Sequence, residues 1–479
     1  MIKNDCYEVY IEDIGNDGEG IGHIEDRQNG KSFALFVKDT LIGDRALVRI
    51  IKVKKTYAYG RVEQIIESSP YRVHPVCEKA RSCGGCSLMH MSYDKQLEYK
   101  WNKVKSCLER IGGISGVDAI MEPPYGMELP YFYRNKMQLP VGRDREGRIV
   151  IGFYAGRTHS IVDLDKCHIG HPVNDYIIKY MRKWFRKFDR EDIAYSEESH
   201  SGLVRHILTR VGFRTGELMV CLVINKDELG KSEGESLVCL LKEAVKEYNT
   251  SKDTEQEIIL KSVSININKE KTNRILGSHC KVVWGRSYIQ DYIGDILFNI
   301  SPMSFYQVNP VQTKAIYDKA IEYAELKGGE TVWDMYCGIG TISLCLAAYA
   351  GKVFGVEVVP QAIEDAKENA RVNGIENARF FCGKAEEVVP EFYREADSDE
   401  GKHPDVIVVD PPRKGCEKVL LDTISFMAPD RIVYVSCDPA TLARDVKILS
   451  DKGYRPEKVA VFDAFCQGTH VETVVQLSH

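Results

Sequence analysis

The chain has 479 residues, of which 44% are hydrophobic and 28% are charged, and its formal net charge at pH 7 is −6. That length is too great for one hydrophobic core and predicts two to four domains. The mild acidity argues against a general nucleic-acid coat protein. It still allows an RNA enzyme with a local basic face.

The composition predicts a cytoplasmic protein. No stretch approaches the roughly 18 uninterrupted apolar residues of a membrane span, and residues 1–15 lack the apolar core of a signal peptide. We therefore expect no membrane partner. Thiols stay reduced in the cytoplasm, so clusters among the 15 cysteines indicate a metal site or catalysis rather than disulfides.

Residues 1–68 are predicted to form a small all-β domain. Its strand-like stretches, separated by glycine turns, are residues 6–11, 32–37 and 46–53. Residues 49–61 contain five cations and no acid, interleaved with Tyr57 and Tyr59. That mixture favours a five-stranded barrel of the OB type, which holds phosphates and stacks bases. A solvated strand pair without a ligand is an equally open interpretation.

Residues 69–301 are predicted to form a central α+β domain that begins with a cysteine triplet. Cys77, Cys83 and Cys86 are spaced by five and two residues, with two glycines between the last pair. One further thiolate would complete a [4Fe–4S] site. Structural zinc is the alternative, but zinc sites usually show two close pairs of ligands rather than three plus one.

The spacing leaves the fourth ligand open between Cys107 and Cys167. Cys107 lies on an amphipathic helix predicted over about residues 92–112, which ends at two glycines. Cys167 lies in a loop-like stretch that is freer to fold over a cluster.

From about residue 302 to residue 479, strand-like and helical segments alternate. This rhythm predicts an α/β domain with a doubly wound, mainly parallel, Rossmann-like sheet. Ligands of such sheets bind at the carboxyl ends of the strands.

A cofactor site is indicated at the first of these strand ends. Asp334-Met-Tyr-Cys-Gly-Ile-Gly340 has two glycines that let the backbone approach a ligand, but it lacks the third glycine of a dinucleotide fingerprint. The next strand ends in Glu357, whose carboxylate can accept hydrogen bonds from ribose hydroxyls. Together these features favour S-adenosylmethionine.

Three further residues point to methylation of carbon. Asp410-Pro-Pro-Arg413 and Cys437 follow two later strands, and Glu472 lies in the last segment. An amine needs no thiol to be methylated, whereas uracil C5 becomes nucleophilic only after a thiolate adds to C6. Cys437 can supply that thiolate, and Glu472 can then remove the C5 proton. Taken alone, Cys437 would be a small buried hydrophobe.

Taken together, these motifs resemble those of the RNA uracil-5-methyltransferases, specifically the 23S ribosomal-RNA type with an iron–sulfur cluster. The matching stretches include SPMSFYQVNP, WDMYCGIGTISL, VVDPPRKG, VSCDPATLARD and HVETVVQL. The resemblance spans essentially the whole chain and implies a TRAM domain at residues 1–68. It also implies methylation of uracil C5 in 23S ribosomal RNA, with no stable protein partner.

The resemblance also implies residue roles. Cys437 would be the nucleophile and Glu472 the base. The residues around S-adenosylmethionine and the uracil would be Gln307, Tyr336, Glu357 and Asp410. The fourth ligand of a [4Fe–4S] cluster would be Cys167. Two small departures are Asp438, where the family often has asparagine, and Thr341, at a variable position of the glycine loop.

Two other functions are weighed against this one. The first is the same reaction on transfer RNA, whose bacterial members generally lack the cluster and the TRAM-like domain. The second is a non-catalytic RNA-binding iron–sulfur protein, which would have no need of Cys437 and Glu472.

Overall fold

The protein is described by a computed structural model that covers residues 2–25, 32–156, 158–251, 256–395 and 404–479. None of the helices within these ranges is long and apolar enough to cross a membrane. The elements fall into an N-terminal barrel, a central sheet with helices, and a C-terminal sheet with helices on both faces.

The N-terminal barrel closes in the order β1-β2-β3-β5-β4. Its strands are β1 (Cys6–Ile14), β2 (Gly20–Glu25), β3 (Ser32–Lys38), β4 (Arg45–Val53) and β5 (Tyr57–Glu67). Because neighbouring side chains of a strand point to opposite faces, alternate residues such as Leu35, Val37 and Val48 fill the interior. The predicted N-terminal barrel is therefore confirmed.

The central region is built on a seven-stranded sheet in the order β12-β11-β10-β9-β6-β7-β8. Its strands are β6 (Lys136–Arg143), β7 (Ile149–Tyr154), β8 (Ile161–Asp163), β9 (Val204–Val211), β10 (Glu217–Ile224), β11 (Ile259–Ile267) and β12 (His279–Gly285). One face packs against the helices α2 (Val173–Lys187) and α3 (Lys231–Thr250), with Met137, Leu139, Ile177 and Leu241 in the shared core.

Two elements of this region pack on the C-terminal core instead. The helix α1 (Tyr93–Arg110) contributes Val104 and Leu108 to the cluster that contains the C-terminal strands. The hairpin of β13 (Ile289–Ile293) and β14 (Ile296–Ile300) contributes Phe298. The exact domain boundaries at residues 68 and 301 stay predictions.

The C-terminal sheet has the order β17-β16-β15-β18-β19-β21-β20. Its strands are β15 (Thr331–Asp334), β16 (Lys352–Glu357), β17 (Ala378–Cys382), β18 (Val406–Val409), β19 (Arg431–Ser436), β20 (Arg455–Phe462) and β21 (Glu472–Ser478). The helices are α4 (Pro310–Ala324), α5 (Thr341–Ala347), α6 (Pro360–Val372), α7 (Ala385–Glu395), α8 (Lys418–Met427) and α9 (Pro439–Ser450).

The first five strands of this sheet are parallel, and β21 runs antiparallel between β19 and β20. The chain moves outward from β15 to β17 and then returns to place β18 on the other side of β15. Such a switch of direction opens a crevice at the carboxyl ends of the strands. The doubly wound sheet predicted for this region is confirmed.

Candidate active site

A cavity of about 800 Å³ opens at this switch point. It is lined by all six residues that the sequence assigns to catalysis or cofactor binding: Gln307, Tyr336, Glu357, Asp410, Cys437 and Glu472. These residues are separated by up to 165 positions in the chain, and the folded sheet brings them to one edge.

The order of the strands explains this convergence. Asp334 and Glu357 are the last residues of β15 and β16, and Asp410 directly follows β18. Because these three strands are parallel, their final residues meet at the same edge of the sheet. β15 and β18 are the neighbours that flank the switch point, so Asp334 and Asp410 face each other across it.

Cys437 and Glu472 reach the cavity from antiparallel neighbours. Cys437 directly follows the end of β19, whereas Glu472 is the first residue of β21. Ser436 pairs with Thr473 across these two strands. Cys437, which follows Ser436, and Glu472, which precedes Thr473, therefore lie next to each other at the same edge of the sheet. The thiol is half-buried, and the Glu472 carboxyl is 3% exposed.

The electrostatics of this pair favour proton transfer. Burial, the Glu472 carboxylate and the Asp410 carboxylate raise the pKa of the Cys437 thiol to about 11, and Arg413 opposes them. Burial and Asp410 also raise the pKa of Glu472 well above its usual range, against Arg413. Oε2 of Glu472 is buried without a hydrogen-bond partner among the described residues. It is therefore free to take a proton from a ligand.

The opposite end of the cavity suits a cationic cofactor. The Asp334 carboxylate accepts hydrogen bonds from the Ser343 hydroxyl at 2.6 Å and from the Tyr336 amide at 3.3 Å. Burial raises the pKa of Asp334 to about 6 and that of Asp410 to about 7. A bound cation would lower both pKa values and stabilise the carboxylates.

Glu357 and the glycine loop shape the wall of that end. Oε1 of Glu357 accepts the Val359 amide at 2.9 Å, which holds the carboxylate at the cavity and leaves Oε2 for a ligand. Gly338 and Gly340 have φ of +54° and +85°, which residues with side chains rarely adopt. The loop can therefore pass close to a bound molecule.

Gln307 joins the central sheet to the cavity. Its side-chain amide donates to the Asp410 carboxylate at 3.4 Å. Its backbone carbonyl accepts a hydrogen bond from the Asn135 amide group at 2.9 Å, and the Val308 carbonyl accepts one from the Asn135 backbone N–H at 2.9 Å. The segment that carries Gln307 is thus fixed to the start of β6.

The cavity also contains residues to which the sequence analysis gives no role, among them Arg413, Phe305 and Phe465. Arg413 is the cation that opposes the raised pKa values of Cys437 and Glu472. Phe305 and Phe465 line the cavity, and Phe305 is 72% exposed. Arg413 and Phe305 lie within the sequence motifs quoted above, so their positions beside Asp410 and Gln307 could have identified them as cavity residues. Phe465 follows β20 and lies in none of the quoted motifs, so the sequence gives no indication that it reaches the cavity.

The segment that contains Phe465 is held by α1. Lys100 forms a buried ion pair with Asp463 and donates a second hydrogen bond to the Phe465 carbonyl at 3.0 Å. The Leu88 amide, close to the cysteine triplet, donates to the Gln467 carbonyl at 2.9 Å. The helix and the cysteine loop therefore position the chain that leads into Glu472.

The four predicted cluster ligands lie close together. Burial raises the pKa of Cys83, Cys86 and Cys167. Neighbouring thiolates raise these pKa values further: Cys77 acts on Cys83, Cys83 acts on Cys167, and all three of the other cysteines act on Cys86. Cys107 packs instead among the apolar residues between α1 and the C-terminal domain.

The sulfurs of this group also meet hydrogen-bond donors. The Gly85 amide donates to Cys83 Sγ at 3.4 Å, and amides of Ile169 and Gly170 lower the pKa of Cys167. No group of three or more His, Cys, Asp or Glu side chains in the described part of the chain is arranged to hold a metal ion.

The basic stretch of the barrel contains two arginines in ion pairs and three lysines for which the described residues show no ion pair. Arg49 and Arg61 both form ion pairs with Glu63 at 2.9 and 3.0 Å. The exposed lysines between them are Lys52, Lys54 and Lys55. Tyr57 and Tyr59 project from the same outer face and contact each other edge to face, with centroids 5.6 Å apart.

The fold and the carboxylate-lined cavity define an S-adenosylmethionine-dependent methyltransferase. Residues 236–479 match the family model described as tRNA (Uracil-5-)-methyltransferase, and residues 3–62 match the TRAM domain. The chain therefore belongs to the RNA uracil-5-methyltransferase family.

Full-length relatives and a solved structure agree with this assignment. The chain is 48% identical over 475 residues to an uncharacterized RNA methyltransferase of Halalkalibacterium halodurans, covering 99% of this chain and 97% of the relative. It is 46% identical over 477 residues to one from Clostridium tetani, covering 100% and 97%.

The Pyrococcus abyssi tRNA (uracil-54, C5)-methyltransferase, solved in complex with S-adenosyl-L-homocysteine, is 26% identical with a TM-score of 0.73. The similarity covers 98% of this chain and 100% of that one. The predicted family and the predicted S-adenosylmethionine dependence are therefore confirmed.

Proposed function

We propose that the protein is a cytoplasmic enzyme that methylates uracil C5 in 23S ribosomal RNA through a covalent adduct with Cys437. The observation that carries this proposal is the convergence of a thiol and a buried carboxyl, from β19 and β21, in the cavity that also contains the carboxylates of the cofactor end. A non-catalytic RNA-binding protein would need neither group there.

The reaction begins at Cys437. Its partly exposed thiol releases its proton to solvent, and Arg413 stabilises the resulting thiolate, because Arg413 lowers the pKa that burial raises. The sulfur adds to uracil C6 and moves electron density to C5, which becomes an enolate-like nucleophile. When bound, S-adenosylmethionine supplies the methyl group that C5 accepts.

Glu472 completes the turnover. Its unpartnered Oε2 takes the proton that C5 still carries, and the electron pair of that C–H bond restores the C5–C6 double bond. The bond between C6 and Cys437 breaks at the same time, and the sulfur leaves as a thiolate. The raised pKa of Glu472 makes the carboxylate a stronger base than an exposed glutamate.

Gln307 and Asp410 are placed to orient the base. The hydrogen bond from Gln307 Nε2 to Asp410 Oδ2 leaves Oε1 of Gln307 and Oδ1 of Asp410 available to a ligand in the cavity. Uracil presents both donors and acceptors on its edge, and a paired amide and carboxyl can match them. Exposed Phe305 offers an aromatic face beside them.

We further propose that Cys77, Cys83, Cys86 and Cys167 hold a [4Fe–4S] cluster with a structural role. Zinc would draw its sulfurs to about 2.3 Å from one ion, whereas a cluster binds each thiolate through a different iron and needs wider spacing. The mutual proximity of the four thiols and the amides aimed at their sulfurs support the cluster.

Transfer RNA is the second candidate substrate. It is favoured by the similarity to the Pyrococcus abyssi enzyme, which extends over nearly the full length of both chains. The cysteine set and the TRAM domain favour ribosomal RNA as the substrate. In the RNA uracil-5-methyltransferase family, the bacterial members that act on transfer RNA generally lack both features.

Mapping 5-methyluridine in RNA from a strain without the gene and from its parent distinguishes the substrates. We expect the mass signature of at least one 5-methyluridine to disappear from 23S ribosomal RNA and to return when the gene is restored. Loss of the modification from transfer RNA alone would establish the second candidate. Unchanged 5-methyluridine in both RNAs would contradict the proposed function.

A further inference from the structure

A group of cations lies on the central sheet beside the segment that carries Gln307. Lys136 on β6 and Arg210 on β9 are direct cross-strand partners, so their side chains project from the same face. That face is opposite to the one covered by α2 and α3, because Met137 points into the core that those helices share. Arg134 pairs with Gly170 in an extended conformation and projects to the same side as Lys136.

Among the described residues, no carboxylate acts on Lys136 or Arg210. The charged groups that act on the Lys136 ammonium are Arg210 and Arg134, both of which lower its pKa, and burial lowers it to about 7. Nε of Arg134 and Nε of Arg210 have no hydrogen-bond partner among the described residues. Holding partly buried cations together without an anion is unfavourable.

The position of the group connects it to the cavity. Arg210 is 2% exposed and donates to the Ser304 carbonyl. Asn135, between the other two cations in sequence, binds the backbone carbonyl of Gln307 at 2.9 Å. Arg210 and Asn135 therefore join this part of the sheet to the segment 304–308, whose residues 305–308 line the cavity, and the partly exposed Arg134 and Lys136 are the sequence neighbours of Asn135.

We propose that Arg134 and Lys136, with Arg210 behind them, bind a backbone phosphate of the RNA next to the target uridine. This inference rests on the proposed function, since an RNA enzyme must hold the strand while one base enters the cavity. A phosphodiester supplies a negative charge beside Lys136 and Arg210, on which no carboxylate among the described residues acts. The phosphate contact would fix the register of the strand, and the cavity would read the base.

The test uses Lys136, because Arg134 also acts on the Cys86 thiol and could affect the cysteine group. Lys136→Met and Lys136→Gln remove the charge, and Lys136→Arg keeps it. Lys246→Met is the matched control, since Lys246 is an exposed lysine on α3, across the same sheet. Binding is measured by filter retention of unmodified 23S and transfer-RNA transcripts over a range of salt concentrations.

We expect the neutral variants to bind the unmodified transcript of the substrate RNA about five- to tenfold more weakly and to reduce the salt slope by about 0.7 to 0.9. Lys136→Arg and Lys246→Met should keep the wild-type slope. Calorimetric affinity for S-adenosylmethionine should stay unchanged in all four variants. A neutral variant that binds the cofactor and keeps the wild-type RNA slope would overturn the inference.

Lysine footprinting of the unaltered protein gives a test that needs no folded variant. RNA should protect Lys136 from acetylation and leave Lys246 reactive, as read by mass spectrometry. Equal modification of Lys136 with and without RNA would overturn the phosphate site. If the wild-type enzyme forms 5-methyluridine in neither RNA, the proposed function fails. If the wild-type enzyme does form 5-methyluridine but RNA does not protect Lys136, only the phosphate site is contradicted.

Discussion

Cys437 and Glu472 occupy adjacent positions at one edge of the C-terminal sheet because Ser436 pairs with Thr473 across β19 and β21. The two residues are 35 positions apart in sequence. The antiparallel insertion of β21 next to β19 therefore places a nucleophile and a base on the same side of a bound uracil. In a purely parallel sheet, the first residue of β21 would lie at the opposite edge.

Glu357 should contribute directly to cofactor affinity. Glu357→Ala is expected to weaken S-adenosylmethionine binding by about 2 kcal/mol, because the carboxylate loses charge-assisted hydrogen bonds to the ribose hydroxyls. Isothermal titration calorimetry measures the effect. Glu364→Ala, an exposed acid on the following helix α6, serves as the control. An unchanged dissociation constant in Glu357→Ala would refute the ribose assignment.

The rate of methylation should rise with pH. The Cys437 thiol has a pKa of about 11, so the thiolate fraction grows about tenfold per pH unit between pH 7 and 9. Arg413→Gln removes the cation that lowers this pKa, so the rate should fall at each pH and the profile should move to higher pH. Arg413→Lys should move it less.

Single-turnover rates at saturating cofactor measure this profile. A rate that is independent of pH over this range, with no difference between Arg413→Gln and the wild type, would contradict the role given to Arg413.

The cysteine set should determine the iron content. Protein purified without oxygen is expected to contain about four irons and to absorb broadly near 400 nm. Cys83→Ala and Cys167→Ala should lose the iron and become less stable, since cluster ligation contributes to folding. Cys107→Ala should keep the iron, because Cys107 packs apart from the other four. Zinc in place of iron in anaerobic material would disprove the cluster.

The exposed lysines of the barrel should contribute to RNA affinity. Replacing Lys52, Lys54 and Lys55 by methionine is expected to lower the salt slope of RNA binding by about two to three. Affinity for S-adenosylmethionine should not change, because none of the residues that line the cavity belongs to the described part of the barrel. An unaltered slope would identify this stretch as a solvated surface.

The residues at strand ends could be predicted from sequence because parallel strands share one edge. Asp410 and Glu357 end apolar runs, and the alternation of strands and helices places those ends together. The position of Phe465 in the cavity wall could not be predicted in this way. Its segment is positioned by Lys100, whose partner Asp463 is 363 residues away, and no local pattern encodes such a pair.

The cysteine group shows the same limit. The short spacing of Cys77, Cys83 and Cys86 identifies a shared site, but the spacing alone could not choose between Cys107 and Cys167. The choice depends on the packing of α1 against the C-terminal core, which takes Cys107 to a different part of the molecule. Likewise, Lys136 and Arg210 meet only through the pairing of β6 with β9.

The covalent mechanism is tested most directly by comparing Cys437→Ala with Glu472→Gln on a denaturing gel. Cys437→Ala should neither methylate RNA nor form an adduct, because C5 is not activated without addition at C6. Glu472→Gln should still add and accept the methyl group, but the C5 proton cannot leave. It should therefore give a retarded protein–RNA band that requires S-adenosylmethionine. Substantial activity of Cys437→Ala, or the absence of a trapped band with Glu472→Gln, would contradict the mechanism.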